Sequence, residues 1–273
     1  MPSVIMLIQM ERRSKRIYAS LVISAVVLAS AIPLVYQEYG PRYEGLNQHK
    51  PLGLLVPLYF DPNGSWEELI AEHIDYPQVP IIAIINPDNG PGSNYSSQYE
   101  SGISSLEKSG IMVVGYIYTS YGNVPWENIS AQVLEYKHFY NVSGIFLDEV
   151  GDNSTTAAYY GNITSLCRSL GGEFIVGNPG TYSPESITGD FNLTVRYENP
   201  GLPAPNNFSS ITNGTSRNSS ALIAVSSGLP GESWFQSADI QFSYVYITNF
   251  GLPNPYLSLP TYLRAEMSDL SLL

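Results

Sequence analysis

A single cysteine, Cys167, leaves this chain without a disulfide framework or a cysteine-based metal site. It falls in a helical stretch from 159 to 170 and reads as a small core residue. The three histidines, His49, His73 and His138, are scattered without ligand spacing. That argues against a zinc hydrolase or a metal-dependent deacetylase, and neither a metal nor a cofactor is expected. Cations are scarce as well. After residue 45, seven Lys and Arg stand against 21 Asp and Glu, a net of −14 by that count. Nucleic acid is therefore not an expected partner, whereas a cationic ligand would be tolerated. Nothing in the composition sets an oligomeric state.

One long uncharged run is present. Arg12, Arg13, Lys15 and Arg16 precede a stretch from Ile17 to Tyr36. At 1.5 Å per residue it is long enough to cross a hydrocarbon core of roughly 30 Å. The basic flank belongs on the inner side, which sends the remainder outside. This divides the chain into a basic cytoplasmic N-terminus (1–16), a transmembrane anchor or signal segment (17–36), a linker (37–52) and a folded domain (53–273). Ala29-Ser30-Ala31 resembles a signal-peptidase site, but the run exceeds the roughly 7–15 residues of a signal core, which favours an uncleaved anchor. Met10 is an alternative start. Glycosylation sequons occur at Asn63, Asn94, Asn128, Asn141, Asn153, Asn162, Asn192, Asn207, Asn213 and Asn218, against roughly three expected by chance. Asn192 is discounted because its neighbours read as a strand. A cell-surface or extracellular glycoprotein, held at the membrane by its N-terminal segment, follows as an expectation.

Beyond residue 53, apolar runs alternate with amphipathic ones. Strands are expected at 53–60, 80–87, 111–119, 144–149, 173–178, 191–198, 221–227 and 244–249, and helices at 65–73, 96–109, 129–140 and 155–170. Eight strands with crossovers in this length favour a (β/α)8 TIM-like barrel over a doubly wound sheet, although the helices between strands six and eight are weaker. The polar stretch 206–220 reads as a long loop.

Polar residues collect at the strand ends, where such barrels place their chemistry. Gly144-Ile145-Phe146-Leu147-Asp148-Glu149 stops on two acids, and Val195-Arg196-Tyr197-Glu198 ends on a third. One acid at a strand end commonly caps the next helix, but three in matched positions point to carboxylate catalysis. Around them stand Tyr59, Asp61, Asn86, Tyr116, Tyr118, Thr119, Asn178, Thr248 and Asn249, residue types that bind hydroxyl-rich ligands. Between 192 and 198 the even positions are polar, so alternation turns Glu198 into the barrel with Arg196 one layer below, where its charge would keep Glu198 ionised. Asp148 and Glu149 are adjacent, so a bend is needed to present both.

Five segments resemble, in order and spacing, the spherulin-4-like glycoside hydrolases of family 135. They are Leu55-Val56-Pro57-Leu58-Tyr59, Ile85-Asn86-Pro87-Asp88-Asn89-Gly90-Pro91-Gly92, Gly115-Tyr116-Ile117-Tyr118-Thr119-Ser120-Tyr121-Gly122, the segment ending in Asp148-Glu149, and Gly177-Asn178-Pro179-Gly180-Thr181. The resemblance covers about 52–198. It implies a (β/α)8 fold, an α-1,4-linked galactosamine or N-acetylgalactosamine polymer as substrate, and Asp148, Glu149 and Glu198 as the acidic site residues. In that framework Glu149 is the general acid/base, Glu198 the nucleophile or base, and Asp148 tunes or binds, with the reverse assignment open. The sequence also permits a non-catalytic surface carbohydrate-binding protein on the same barrel.

Overall fold

The computed structural model describes residues 51–273. The basic segment, the anchor and nearly all of the linker lie outside the described residues. Among those described, no helix is long and apolar enough to cross a membrane.

Eight parallel strands close into a barrel in sequence order: β1 (Gly53–Leu58), β2 (Ile81–Ile85), β3 (Met112–Tyr118), β4 (Gly144–Asp148), β5 (Phe174–Asn178), β6 (Leu193–Pro200), β7 (Ser220–Val225) and β8 (Tyr244–Ile247). Closure is made by β8 against β1, with Gly53 opposite Tyr244. The doubly wound alternative is thereby excluded. Outer helices are α1 (Gly64–Asp75), α2 (Ser97–Lys108), α3 (Trp126–Phe139), α4 (Ala157–Ser169), α5 (Glu185–Thr188), α6 (Phe208–Thr212), α7 (Glu232–Gln241) and α8 (Leu263–Leu270).

Local chemistry starts the first two helices. Asn63 accepts the Ser65 amide and Ser96 the Tyr99 amide, satisfying donors that a helix start leaves free. The last helix is tied to the first by Arg264, whose guanidinium reaches both Glu72 and Asp75. Between strands six and eight, where the helical signal is weak, the five-residue α6 is short as expected but α7 is a full helix of ten residues, and the four-residue α5 precedes β6. The polar stretch 206–220 is not wholly loop, because Phe208 supplies an anchor. Its buried ring packs edge-on against Trp234 and Phe242, each at 5.3 Å, and holds α6 in place. Cys167 is buried in α4, where desolvation pushes its thiol up to about 12. All ten sequon asparagines are exposed, Asn192 included; it sits just ahead of β6, and its side chain accepts the Ile175 amide.

Paired residues of neighbouring strands share a face. Tyr116 faces Phe146 in register, and Tyr118 faces Asp148, which in turn faces Asn178. The inward columns of β3 and β4 are therefore apolar at their base and polar toward the mouth, as in Val114-Tyr116-Tyr118 and Gly144-Phe146-Asp148. Gly144 is obligatory at its level, since a Cβ there would lie 1.8 Å from the Phe174 carbonyl oxygen. The barrel is a packed apolar column with a polar mouth.

Candidate active site

Two backbone irregularities deliver the acids to this mouth. The first ends β4. Asp148 is the last strand residue, and Glu149 turns into the left-handed region at φ 49°, an uncommon conformation for a non-glycine residue. This is the bend the sequence requires for both acids. It is held from beneath by Thr119, fully buried, whose hydroxyl bonds the carbonyls of Asp148 and Glu149 at 2.8 Å each and contacts the Tyr160 hydroxyl at 3.1 Å.

The second irregularity lies in β6. Val176 is inward, and its register partner is Leu193, so Leu193 and Val195 face the lumen while Thr194 and Arg196 face out. Between Val195 and Tyr197 the register against β7 slips by one residue, a β-bulge at Arg196. Beyond it the phase is inverted, and Glu198 comes into the mouth. The sequence expectation placed Glu198 correctly for the wrong reason. Even positions do not all face inward; the bulge alone turns the acid in. Arg196 accordingly points away from Glu198, pairs with no carboxylate among the described residues, and lines a cavity outside the barrel with Tyr182 and Phe191.

Asn178 joins the two strands' acids. Its Nδ2 donates to Asp148 Oδ1 at 2.9 Å and to Glu198 Oε2 at 2.5 Å. Each acid is held by a tyrosine on its other oxygen. The Tyr116 hydroxyl donates to Asp148 Oδ2 at 2.8 Å, and the Tyr256 hydroxyl donates to Glu198 Oε1. Tyr59 stands between the two phenols, edge-on to Tyr116 and to Tyr256 with centroids 5.3 Å away in each case. Burial first, and the nearby acids second, push the Tyr116 and Tyr256 phenols well above their ordinary pKa, so both remain donors. Burial and then the Glu198 charge raise the Asp148 carboxyl to about 6, against the hydrogen bonds from Tyr116 and Asn178 that lower it. The carboxyl raised by burial and a neighbouring acid is thus Asp148, whereas the sequence reading gave that role to Glu149. Among the described residues Glu149 makes no side-chain hydrogen bond, and its charge acts on the hydroxyls of Tyr116 and the exposed Tyr121.

Loop chemistry fixes Asn178. After β5, Gly180 adopts φ 63° and its carbonyl accepts the Glu198 amide, which pins the loop to β6 beyond the bulge. A glycine at that position avoids the strain a side chain would meet there.

Of the residues anticipated from sequence, the structure gathers Tyr59, Tyr116, Tyr118, Asp148, Glu149, Asn178 and Glu198. Six others serve elsewhere, among them the buried Thr248, whose hydroxyl accepts the Phe250 amide. Asp61 accepts from Tyr99 of α2, and Asn86 accepts the Gly90 amide to shape its own loop. Thr119 buttresses β4 from below. Asn249 accepts from the Thr261 amide, and Arg196 faces outward. Tyr256 was missed. It lies in the Pro- and Asn-rich loop after β8, fifty-eight positions from Glu198, and its only signal was its place in a loop following a strand.

A model of the spherulation-specific family 4 matches residues 53–269, nearly the whole barrel. The chain belongs to the spherulation-specific family 4. Spherulin-4 of Physarum polycephalum is 34% identical over 164 residues, covering 59% of this chain and 49% of that protein, so the match spans about half the relative's length. Among solved structures, Aspergillus clavatus Sph3 in complex with GalNAc superposes with a TM-score of 0.73 at 20% identity, covering 81% of this chain and 98% of that one. Tryptophan synthase from M. tuberculosis also aligns, with a TM-score of 0.50 at 12% identity over 85% of this chain and 96% of its own. At these identities the superpositions show the shared barrel. At the mouth of this barrel three acids meet four tyrosines.

Proposed function

We propose that this protein is a cell-surface glycoside hydrolase that cleaves an α-1,4-linked polymer of galactosamine and N-acetylgalactosamine within the chain. The observation that carries the hydrolase reading is the sharing of one amide by Asp148 and Glu198. Their two bound oxygens are no farther apart than the 2.9 Å and 2.5 Å bonds laid end to end. That is nearer the roughly 5–5.5 Å carboxyl spacing of retaining glycosidases than the roughly 6.5–9.5 Å that seats a water between inverting ones.

In this reading Asp148, raised by burial and by Glu198, holds the proton and gives it to the leaving glycosidic oxygen. Glu198 remains the carboxylate and attacks the anomeric carbon, forming a glycosyl ester. Asp148, now a base, takes a proton from the water that hydrolyses that ester. Tyr256 and Asn178 hold Glu198 in line, Tyr116 and Asn178 hold Asp148, and Glu149 contacts sugar hydroxyl or amino groups from the rim. The tyrosine faces around the acids suit a pyranose.

Substrate identity draws on the ordered motifs and on the GalNAc in the Sph3 complex. The acidic surface favours a partly deacetylated, cationic polymer, which would make binding sensitive to salt. Surface location draws on the uncharged run 17–36 behind its basic flank, and on ten sequons whose asparagines are all exposed.

The test is product release from α-1,4-linked galactosaminyl oligomers, with and without N-acetylation, by the full chain and by its Asp148→Asn, Glu149→Gln and Glu198→Gln variants. Cleavage by the parent and its loss in Asp148→Asn and Glu198→Gln supports the reading. Binding without cleavage by the parent would make the protein a carbohydrate-binding one.

A further inference from the structure

The bulge that turns Glu198 inward turns Arg196 out, into a cavity of about 470 Å³ on the barrel's outer side. Its walls come from the loop around Tyr182, from α5, and from the chain between α6 and β7. That volume lies in the range of small-molecule sites, roughly 300–1,000 Å³. Phe191 and Ile211 give it apolar walls, while Asn213 and Ser219 add polar groups and Tyr182 is exposed at its edge.

Arg196 is the anomaly in this cavity. Only 8% of the residue is exposed, its Nε has no hydrogen-bond partner, and no acid among the described residues pairs with it. Glu185 also lines the cavity but is exposed and makes no ion pair with Arg196. Burying a charge is costly unless it is paired, and arginine has no practical route to neutrality. In a chain with 24 acidic residues against 12 basic ones, leaving this guanidinium without a carboxylate is conspicuous. Desolvation depresses its pKa, and only the Tyr182 phenol at the cavity edge acts against that.

We infer that the Arg196 cavity is a second ligand site, specific for an oxyanion group (carboxylate, phosphate or sulfate), with room for a body of monosaccharide size. The guanidinium fork matches such a group in two parallel hydrogen bonds, and the Phe191 and Tyr182 rings offer faces for the carrier. The site lies on the opposite side of the β6 backbone from the acids. Neither a cationic nor a neutral sugar gains from it, so its ligand differs from the one proposed for the mouth.

The test is calorimetric titration of the full chain at low ionic strength with inorganic phosphate, inorganic sulfate, D-galacturonate and neutral D-galactose. The expected result is binding of one equivalent of an oxyanion and none of galactose. The protein's net negative charge opposes non-specific anion uptake, which keeps that stoichiometry informative. Tighter binding of galacturonate than of the inorganic ions would assign a sugar acid, and the reverse order a free oxyanion. Arg196→Gln is expected to weaken binding at least tenfold. Ile211→Trp, which fills the cavity but keeps the guanidinium, should do the same and covers the case in which Arg196→Gln does not fold. Absence of binding by the parent, equal binding of galactose, or undiminished binding in both variants would overturn the inference.

Discussion

Asp148 and Glu198 accept hydrogen bonds from the same nitrogen, Asn178 Nδ2, although they lie on strands that are not neighbours in the barrel. The amide is oriented by this demand, because its oxygen turned toward two acids would be repelled by both. Asn178→Ala removes the shared donor and leaves two carboxyls facing each other. The expected result is a loss of about 10²-fold in kcat/KM, the scale seen when one fixed donor is removed from a charged site. Since the Asn178 bond lowers the Asp148 pKa, its removal should also move the basic limb of the pH–rate profile upward. A rate loss with an unmoved profile would mean that Asn178 acts on packing alone.

The pH dependence of the parent follows from Asp148. A proton donor with a pKa of about 6 is active below that pH and empties above it. Activity measured as kcat/KM is expected to fall above pH 6, approaching tenfold per pH unit. A profile flat from pH 5 to pH 8 would remove Asp148 from the donor role.

Division of labour between the acids is separable by leaving group. An activated aryl glycoside departs without protonation, so Asp148→Asn should retain substantial activity on it while losing about 10³-fold on the polymer, within the 10²–10⁴ range of general acid catalysis. Glu198→Gln should lose both. Glu149→Gln, changing a rim contact, is expected to raise KM more than it lowers kcat. Proton NMR of the first product should show the anomeric configuration retained, and inversion would show that the carboxyl spacing had been misjudged.

Tyr256→Phe removes the phenol that fixes Glu198 Oε1 but keeps the ring between Tyr59 and Tyr246. Folding should be preserved, and kcat should fall about 10–100-fold, the range found when a group supporting a reactive one is lost. An unchanged kcat would leave Tyr256 as wall rather than support.

The barrel was legible because its signals are local. Apolar strands, polar ends and amphipathic helices repeat along the chain, and the pair at Asp148-Glu149 marks the mouth without reference to any distant residue. What was hidden depends on register and on contacts far apart in sequence. The bulge at Arg196 leaves no local mark, since Thr194-Val195-Arg196-Tyr197-Glu198 alternates perfectly as written. Only pairing with β7 reveals the extra residue, and with it the outward turn of Arg196. Tyr256 required the fold of the last loop across the mouth. Asp61, Asn86 and Asn249 show the converse error, for a polar residue after a strand is as readily consumed by its own loop or a neighbouring helix.

The raised acids also set how stability varies with pH. Asp148 has a folded-state pKa near 6 against an unfolded value of about 3.9, so between those pH values the folded state holds a proton that the unfolded state does not. Stability therefore falls as pH rises through that window, as the carboxyl ionises beside Glu198. Asp148→Asn removes the charge and should raise Tm at pH 7.5 while leaving it almost unchanged at pH 4, with roughly 2–4 °C per kcal/mol recovered in a domain of this size. Glu266 of α8 has the same sign for a different reason. It is fully buried, both its carboxyl oxygens lack partners among the described residues, and desolvation followed by Asp269 raises its pKa well above the ordinary value. Glu266→Gln should likewise raise Tm at neutral pH, but without loss of hydrolysis, because α8 lies on the outside of the barrel. Thermal melts of both variants at pH 4 and 7.5 separate the causes. Stabilisation coupled to lost activity in Asp148→Asn, but not in Glu266→Gln, would show that Asp148 is kept at a cost to the fold for the sake of chemistry, whereas equal activity in both would place Asp148 outside the reaction.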